Sequence, residues 1–185
     1  MKLSSDIINH AVSHRRHLHA HPELSGNEEQ TAKYIHSCLD RWGVPYEKNI
    51  GGLGIVAWIG PEATECIALR ADMDALPIHE ANTTSYQSKN HGIMHACGHD
   101  VHMACLLGAI EALQIEHTLS KRVYFIFQPH EEVLPGGAQL MIDEGLFERF
   151  PIAKLVGLHV SPELEAGVIG PVSYTHLRAH ETKKH

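Results

Sequence analysis

Residues 123–127, Val-Tyr-Phe-Ile-Phe, constrain this 185-residue chain more than any other segment. Five consecutive bulky apolar residues of high strand propensity leave no polar face for solvent. A strand built from them has to be covered on both sides, as in a sheet held between helical layers. The rest of the chain supplies the layers. Residues 55–59 follow a Gly51-Gly52 turn, residues 65–70 follow Gly60-Pro61, and both read as short strands, as do residues 155–160. Ser4 or Ser5 is placed to cap a helix running to about His19, with Ile7, Ile8, Ala11, Val12 and Leu18 as its apolar stripe and His21-Pro22 as its end. A second helix is expected from near Asn27, with Glu28 and Glu29 in its first turn, Ala32, Ile35, Cys38 and Leu39 at helical spacing, and Gly43 as its stop. Two more are expected, one from Asp100 that buries Met103, Ala104, Leu107 and Ile110, and one over residues 137–144. Strands alternating with helices predict an α/β fold with a mostly parallel sheet flanked by helices. The stretch 71–96 is polar and irregular, the kind of long loop that carries function.

Composition narrows the function classes. Hydrophobic residues make up 43% and charged residues 20%, which excludes disorder and is enough for one packed core. The formal net charge is −7 with no basic stripe, so no nucleic-acid partner is expected. No apolar run approaches the length of a membrane span, and the polar residues 1–6 do not resemble a secretory leader. Cys38, Cys66, Cys97 and Cys105 form no CxxC pair; reduced thiols and a cytoplasmic location are the expectation. The outlier is histidine. Seventeen copies of the commonest metal-ligating side chain invite a search for a metal site.

Four places stand out, each at a strand end or in the loop after one, where α/β sheets build their sites. Asp72-Met73-Asp74 follows the second strand; taken alone, a solvated acidic turn is the better reading of that pair. His95-Ala96-Cys97-Gly98-His99-Asp100-Val101-His102 places a thiol and an imidazole on either side of a glycine, which lets the backbone turn so that both reach one ion. Asp100 is positioned to orient His99 from behind. His130-Glu131-Glu132 follows the buried strand. Adjacent carboxylates repel each other, and one binding metal while the other acts as a general base would explain the pair, as would an exposed loop. Gly136-Gly137 then allows a tight turn into the next helix. His159 closes the list, at the end of the last strand.

These segments carry a resemblance. Residues 17–24 (HLHAHPEL), 70–78 (RADMDALPI), 94–102 (MHACGHDVH), 127–138 (FQPHEEVLPGGA) and 157–164 (GLHVSPEL) follow one another in order. Together they resemble the zinc-peptidase-like amidohydrolases, the family of aminoacylases, hippurate hydrolases and indole-acetyl-amino-acid hydrolases. The resemblance runs from Ser4 to about Gly170. It implies a site for two divalent metal ions (Zn, Mn, Co or Ni), with Cys97, His99, Glu132 and His159 as ligands, Glu131 as the general base and Asp74 orienting the site. It also implies a small N-acyl amino acid as substrate and a homodimer for the complete protein. His130 departs from the small residue expected before the glutamate pair.

The same resemblance sets expectations about the chain's extent. Its members are longer, with a lid domain and a further His-bearing segment after the point matching Gly170. Residues 1–170 are therefore read as the N-terminal part of a truncated catalytic domain. Residues 172–182 (VSYTHLRAHET) resemble the translation of a sequencing-library transposase adapter, so residues 171–185 are expected to be an artefact, and His176, His180 and His185 are not counted as ligands. An unpaired sheet edge, exposed apolar surface and weakened metal binding are expected to follow. Two other readings stay open: a dipeptidase or carboxypeptidase of the same family, and a non-catalytic metal-binding fragment. The acidic pairs favour catalysis over a closed structural zinc site, because they supply a base and leave coordination open.

Overall fold

The computed structural model describes residues 3–115 and 119–170. In chain order the elements are α1 (Ser5–Ala20), α2 (Glu29–Trp42), β1 (Tyr46–Ile50), β2 (Gly54–Ile59), β3 (Cys66–Asp72), α3 (His99–Ile115), β4 (Val123–Gln128), α4 (Gly137–Asp143), α5 (Leu146–Arg149) and β5 (Ile152–Gly157). The Ser4 side chain caps α1 by accepting the Ile7 N–H at 3.3 Å. Helix α2 stops at Gly43 in the left-handed conformation, as expected, but the Glu28 side chain makes no capping bond at its start, where the Gln30 and Thr31 N–H groups donate to the Glu23 carboxylate instead.

The five strands form one sheet in the order β1-β2-β4-β3-β5. Its α/β character is as expected, and β4, β3 and β5 run parallel. The other half is antiparallel, because β1 and β2 form a hairpin whose second strand pairs antiparallel with β4. The sheet is thus mixed. Strand β1 (YEKNI) gave no sequence signal because three of its five side chains face solvent. The single turn α5 was also unanticipated.

Strand β4 is the centre of the molecule. Phe125 and Phe127 point to one side, into a core with Leu18, Ile35, Leu39, Met103, Leu107 and Ile110 from α1, α2 and α3. Tyr124 and Ile126 point to the other, against Met141, Leu146 and Phe150. Both faces of the apolar run are buried, as its composition demanded. Truncating either fully buried phenylalanine to alanine would cost about 3–5 kcal/mol.

Strand β5 begins and ends three residues earlier than its sequence suggested, so His159 lies two residues beyond the strand. The chain leaves the sheet there because the Val160 N–H is taken by His102 Nε2 at 3.0 Å. On its outer side β5 pairs with no strand among the described residues, and Leu155, Val156 and Leu158 are exposed. The tail from residue 171 lies outside the described residues, as do His176, His180 and His185. No helix among the described residues is long and apolar enough to cross a membrane.

Candidate metal centre

Register brings the site together. Asp72 on β3 is level with Gln128 on β4, and Arg70 on β3 is level with Gly157 on β5. All three parallel strands therefore release their chains at one edge, delivering Asp72–Asp74, His130–Glu132 and His159 side by side. The N-terminus of α3 arrives at the same edge with His99. The turn before it depends on Gly98, which has φ +84°, and a Cβ there would collide with the Val160 side chain. On the opposite wall a Cβ at Gly137 would overlap the carbonyl of Pro129, so the glutamate loop closes only around glycine.

The side chains singled out from sequence converge. Candidate ligand atoms of Cys97, His99 and His159 lie within 4.8 Å of one another, as do those of His99, Glu131 and Glu132. His99 belongs to both groups. Cys97 Sγ is 3.4 Å from His159 Nε2, and His99 Nε2 is 3.6 Å from Glu132 Oε1. Protonation follows from the hydrogen bonds. His99 Nδ1 donates to the Asp74 carbonyl at 2.8 Å and His159 Nδ1 donates to the Val160 carbonyl at 2.7 Å. In the neutral rings this leaves both Nε2 lone pairs pointing into the cluster.

Whether these residues suit a metal ion can be judged from what they lack. His99 Nε2 and Glu132 Oε1 are buried without a hydrogen-bond partner, although they lie close together. Burying such groups unpaired is expensive, and a cation between them would satisfy both. Charge points the same way. Burial disfavours the His99 imidazolium, but Asp74, Cys97 and Asp72 pull its pKa up to about 11, so the surroundings call for positive charge at this spot. A thiolate, imidazoles and carboxylates form a donor set suited to zinc and other first-row ions.

Asp74 is buried at the hub. Its Oδ2 accepts the Ser25 hydroxyl at 2.6 Å and the Glu132 N–H at 2.9 Å, and its Oδ1 lies 3.4 Å from His99 Nδ1. Burial opposes ionisation, yet His99, the Glu132 N–H and Ser25 hold its pKa down at about 2. Glu131 goes the other way. Burial raises its pKa, and the charges of Glu132 and Asp72 raise it further.

Asp100 does not orient His99. Consecutive residues in a first helical turn diverge by about 100°, and the Asp100 carboxylate turns toward α1. There it accepts from Arg15 Nε and His19 Nδ1, both at 2.8 Å. His19 also meets Glu80 at 2.9 Å. Orientation of His99 falls to Asp74 instead. Sequence reasoning also left Asp72 and His102 without roles. His102 Nδ1 donates to Asp72 Oδ1 at 2.6 Å and its Nε2 accepts from Val160, so both nitrogens are spent and the ring ties α3 to β3 and the His159 loop. The i, i+3 spacing of His99 and His102 on α3 was the available clue. Arg70 donates to Asp72 at 2.7 Å and to Gln128 at 2.9 Å; burial disfavours the Asp72 charge, but His102 and Arg70 keep its pKa well below the ordinary carboxylate range.

A cleft of about 710 Å³ opens beside Cys97 and His159, with Tyr86, Met94, Val160 and Pro162 in its walls. His95 lines it too, but is buried, and burial pushes its pKa down to about 4.

Comparison with known proteins fits this geometry. The model of a family described as peptidase family M20/M25/M40 matches residues 68–182. An N-acyl-L-amino acid amidohydrolase of Geobacillus stearothermophilus is 40% identical over 173 residues, covering 92% of this chain and 46% of that protein. An uncharacterized hydrolase of Staphylococcus saprophyticus is 46% identical over 154 residues, covering 82% and 40%. Among solved structures, the YXEP protein of Bacillus subtilis, a dinuclear metal binding peptidase from the M20 family, superposes with a TM-score of 0.81 at 36% identity, over 88% of this chain and 45% of that one. The chain thus spans less than half the length of these relatives.

Proposed function

The chain belongs to peptidase family M20/M25/M40, and on that premise we propose that it is the N-terminal part of a metal-dependent amidohydrolase acting on N-acyl amino acids. The observation that carries the reading is the convergence of Cys97, His99, His159 and Glu132 on one edge with Glu131 beside them. The substrate class is supported by the likeness to the Geobacillus stearothermophilus amidohydrolase. Cys97, His99, Glu132 and His159 would hold two divalent ions, of which Zn, Mn, Co and Ni all suit the donors. The dinuclear Bacillus subtilis relative supports the number. When bound, such ions supply Lewis-acid polarisation of the amide carbonyl and acidify water.

The remaining chemistry belongs to the protein's own groups. Glu131 takes a proton from the attacking water and passes it to the departing amine nitrogen, so the C–N bond breaks as a neutral amine leaves. Its raised pKa suits that shuttle, since a base of ordinary carboxylate acidity holds a proton poorly near neutrality. Asp74 keeps His99 in the tautomer that presents Nε2 and fixes the Glu132 backbone. The cleft beside Cys97 and His159 has room for the acyl or amino-acid portion of a small substrate.

A complete protein carrying Glu131→Gln separates catalysis from structural metal binding. Hydrolysis of N-acetyl and N-benzoyl amino acids should fall by about 10²- to 10⁴-fold with metal content unchanged. Unchanged turnover would remove Glu131 as the base. Turnover of dipeptides alone by the wild type would move the protein to the peptidase branch. The homodimer of the complete protein and a cytoplasmic location belong to the same proposal.

A further inference from the structure

Glu28 sits at the N-cap of α2, remote in sequence from every candidate ligand, and is completely buried. A buried carboxylate is normally retained by a cation. Among the described residues none makes an ion pair with it. Its Oε1 accepts the His130 N–H at 2.7 Å, and its Oε2 has no hydrogen-bond partner. Burial raises its pKa, while the N–H groups of His130, Glu28 and Gly26 favour the charge. Among the described residues, the one long-range hydrogen bond of this carboxylate is thus with the residue immediately before Glu131.

That residue is itself under constraint. His130 has φ +55°, in the left-handed region that residues with a Cβ avoid. Such a conformation persists only when its surroundings enforce it. Glu28 holds the His130 N–H, and the His130 carbonyl accepts the Gly137 N–H at 2.7 Å. The His130 ring lies where a side chain at position 26 would go, since a Cβ on Gly26 would come within 3.2 Å of its Nδ1. Ser25 reaches the same segment through Asp74, which takes both its hydroxyl and the Glu132 N–H. The loop between α1 and α2 therefore reaches both ends of the glutamate segment, directly at His130 and through Asp74 at Glu132.

We propose that Glu28 is a positioning residue for the Glu131–Glu132 pair. It anchors His130 in its left-handed conformation so that the two carboxylates following it face His99. The role accounts for a buried carboxylate with no cation and for a strained histidine directly before the pair. It rests on the reading of Glu131 as base, but can be tested apart from it.

The test uses Glu28→Ala and Glu28→Gln in the complete protein, with two readouts: amide hydrogen exchange, and kcat and KM on N-acetyl amino acids. In Glu28→Ala, exchange across residues 130–132 should accelerate about tenfold or more while the β4 amides stay protected. For turnover, kcat should fall on the order of 100-fold with KM within about twofold. Glu28→Gln keeps an oxygen for the His130 N–H and should restore protection and most of kcat. Unchanged exchange at 130–132 overturns the proposal. So does acceleration spread equally over β4, which would mark a merely structural residue, or equal damage by both variants. If the wild type hydrolyses no N-acyl amino acid, the amidohydrolase reading falls, and the exchange experiment still decides the role of Glu28.

Discussion

Replacing Gly98 by alanine should damage both the fold and the metal centre, by an amount that can be divided into two parts. The first is conformational. At φ +84° an L-residue loses about 1–2 kcal/mol. The second is steric, because the new Cβ runs into the Val160 side chain; overpacking of this kind costs about 1–3 kcal/mol. The sum is about 2–5 kcal/mol. With a urea m-value of about 2 kcal/mol/M, the midpoint should drop by about 1–2.5 M. Gly92 is the control. It has φ +78° with nothing within 4 Å of a Cβ, so Gly92→Ala should show the conformational part alone, about 0.5–1 M. Adding Val160→Ala to Gly98→Ala should recover the steric part but not the strain. Because Cys97 and His99 flank the turn, Gly98→Ala should also weaken Zn²⁺ binding, measured by chelator competition, about tenfold or more. If Gly98→Ala is no worse than Gly92→Ala and binds Zn²⁺ as the wild type does, the turn does not set the geometry of the cluster.

Cys97→Ser should lower Zn²⁺ affinity more than Mn²⁺ affinity, because it exchanges a soft thiolate for a hydroxyl, and calorimetry should show fewer protons released on Zn²⁺ binding; equal losses for both ions would take Cys97 out of the ligand set. The pKa of Asp74, held at about 2, gives a stabilisation present above its ordinary value of 3.8 and lost as pH falls from there toward 2, about 2 kcal/mol in all. The difference in urea midpoint between metal-free wild type and Asp74→Asn should therefore shrink over that interval, and a constant difference would contradict the assigned hydrogen bonds. Glu131 has the opposite sign: its raised pKa means that its charge destabilises the metal-free fold above the ordinary carboxylate range, so Glu131→Gln should raise the midpoint at pH 7. Val156 is 49% exposed on the outermost strand, and Val156→Lys should suppress concentration-dependent light scattering; unaltered scattering would show that self-association does not use this edge.

Features that depend on local pattern were legible in the sequence. The apolar run of β4 required a two-sided covering, and Phe125 and Phe127 do pack against one helical layer while Tyr124 and Ile126 pack against another. Ser4 and Gly43 marked helix ends because capping chemistry is local. The candidate ligands were legible as residue types because Cys, His and Glu clustered at strand ends, where parallel strands release their chains. Direction and pairing came from packing. Strand β1, with three exposed side chains, carries no periodic signal and is held by its pairing with β2. Asp100 sits beside His99 in the chain yet turns to Arg15 and His19, because a helix sends neighbouring side chains to different partners. His159 leaves the sheet because His102, from a distant helix, takes the next N–H. Glu28 meets His130 across more than a hundred residues of chain, and no spacing rule reaches that far. Sequence periodicity reports which face of an element is apolar; which carboxylate meets which amide is fixed only when the elements pack.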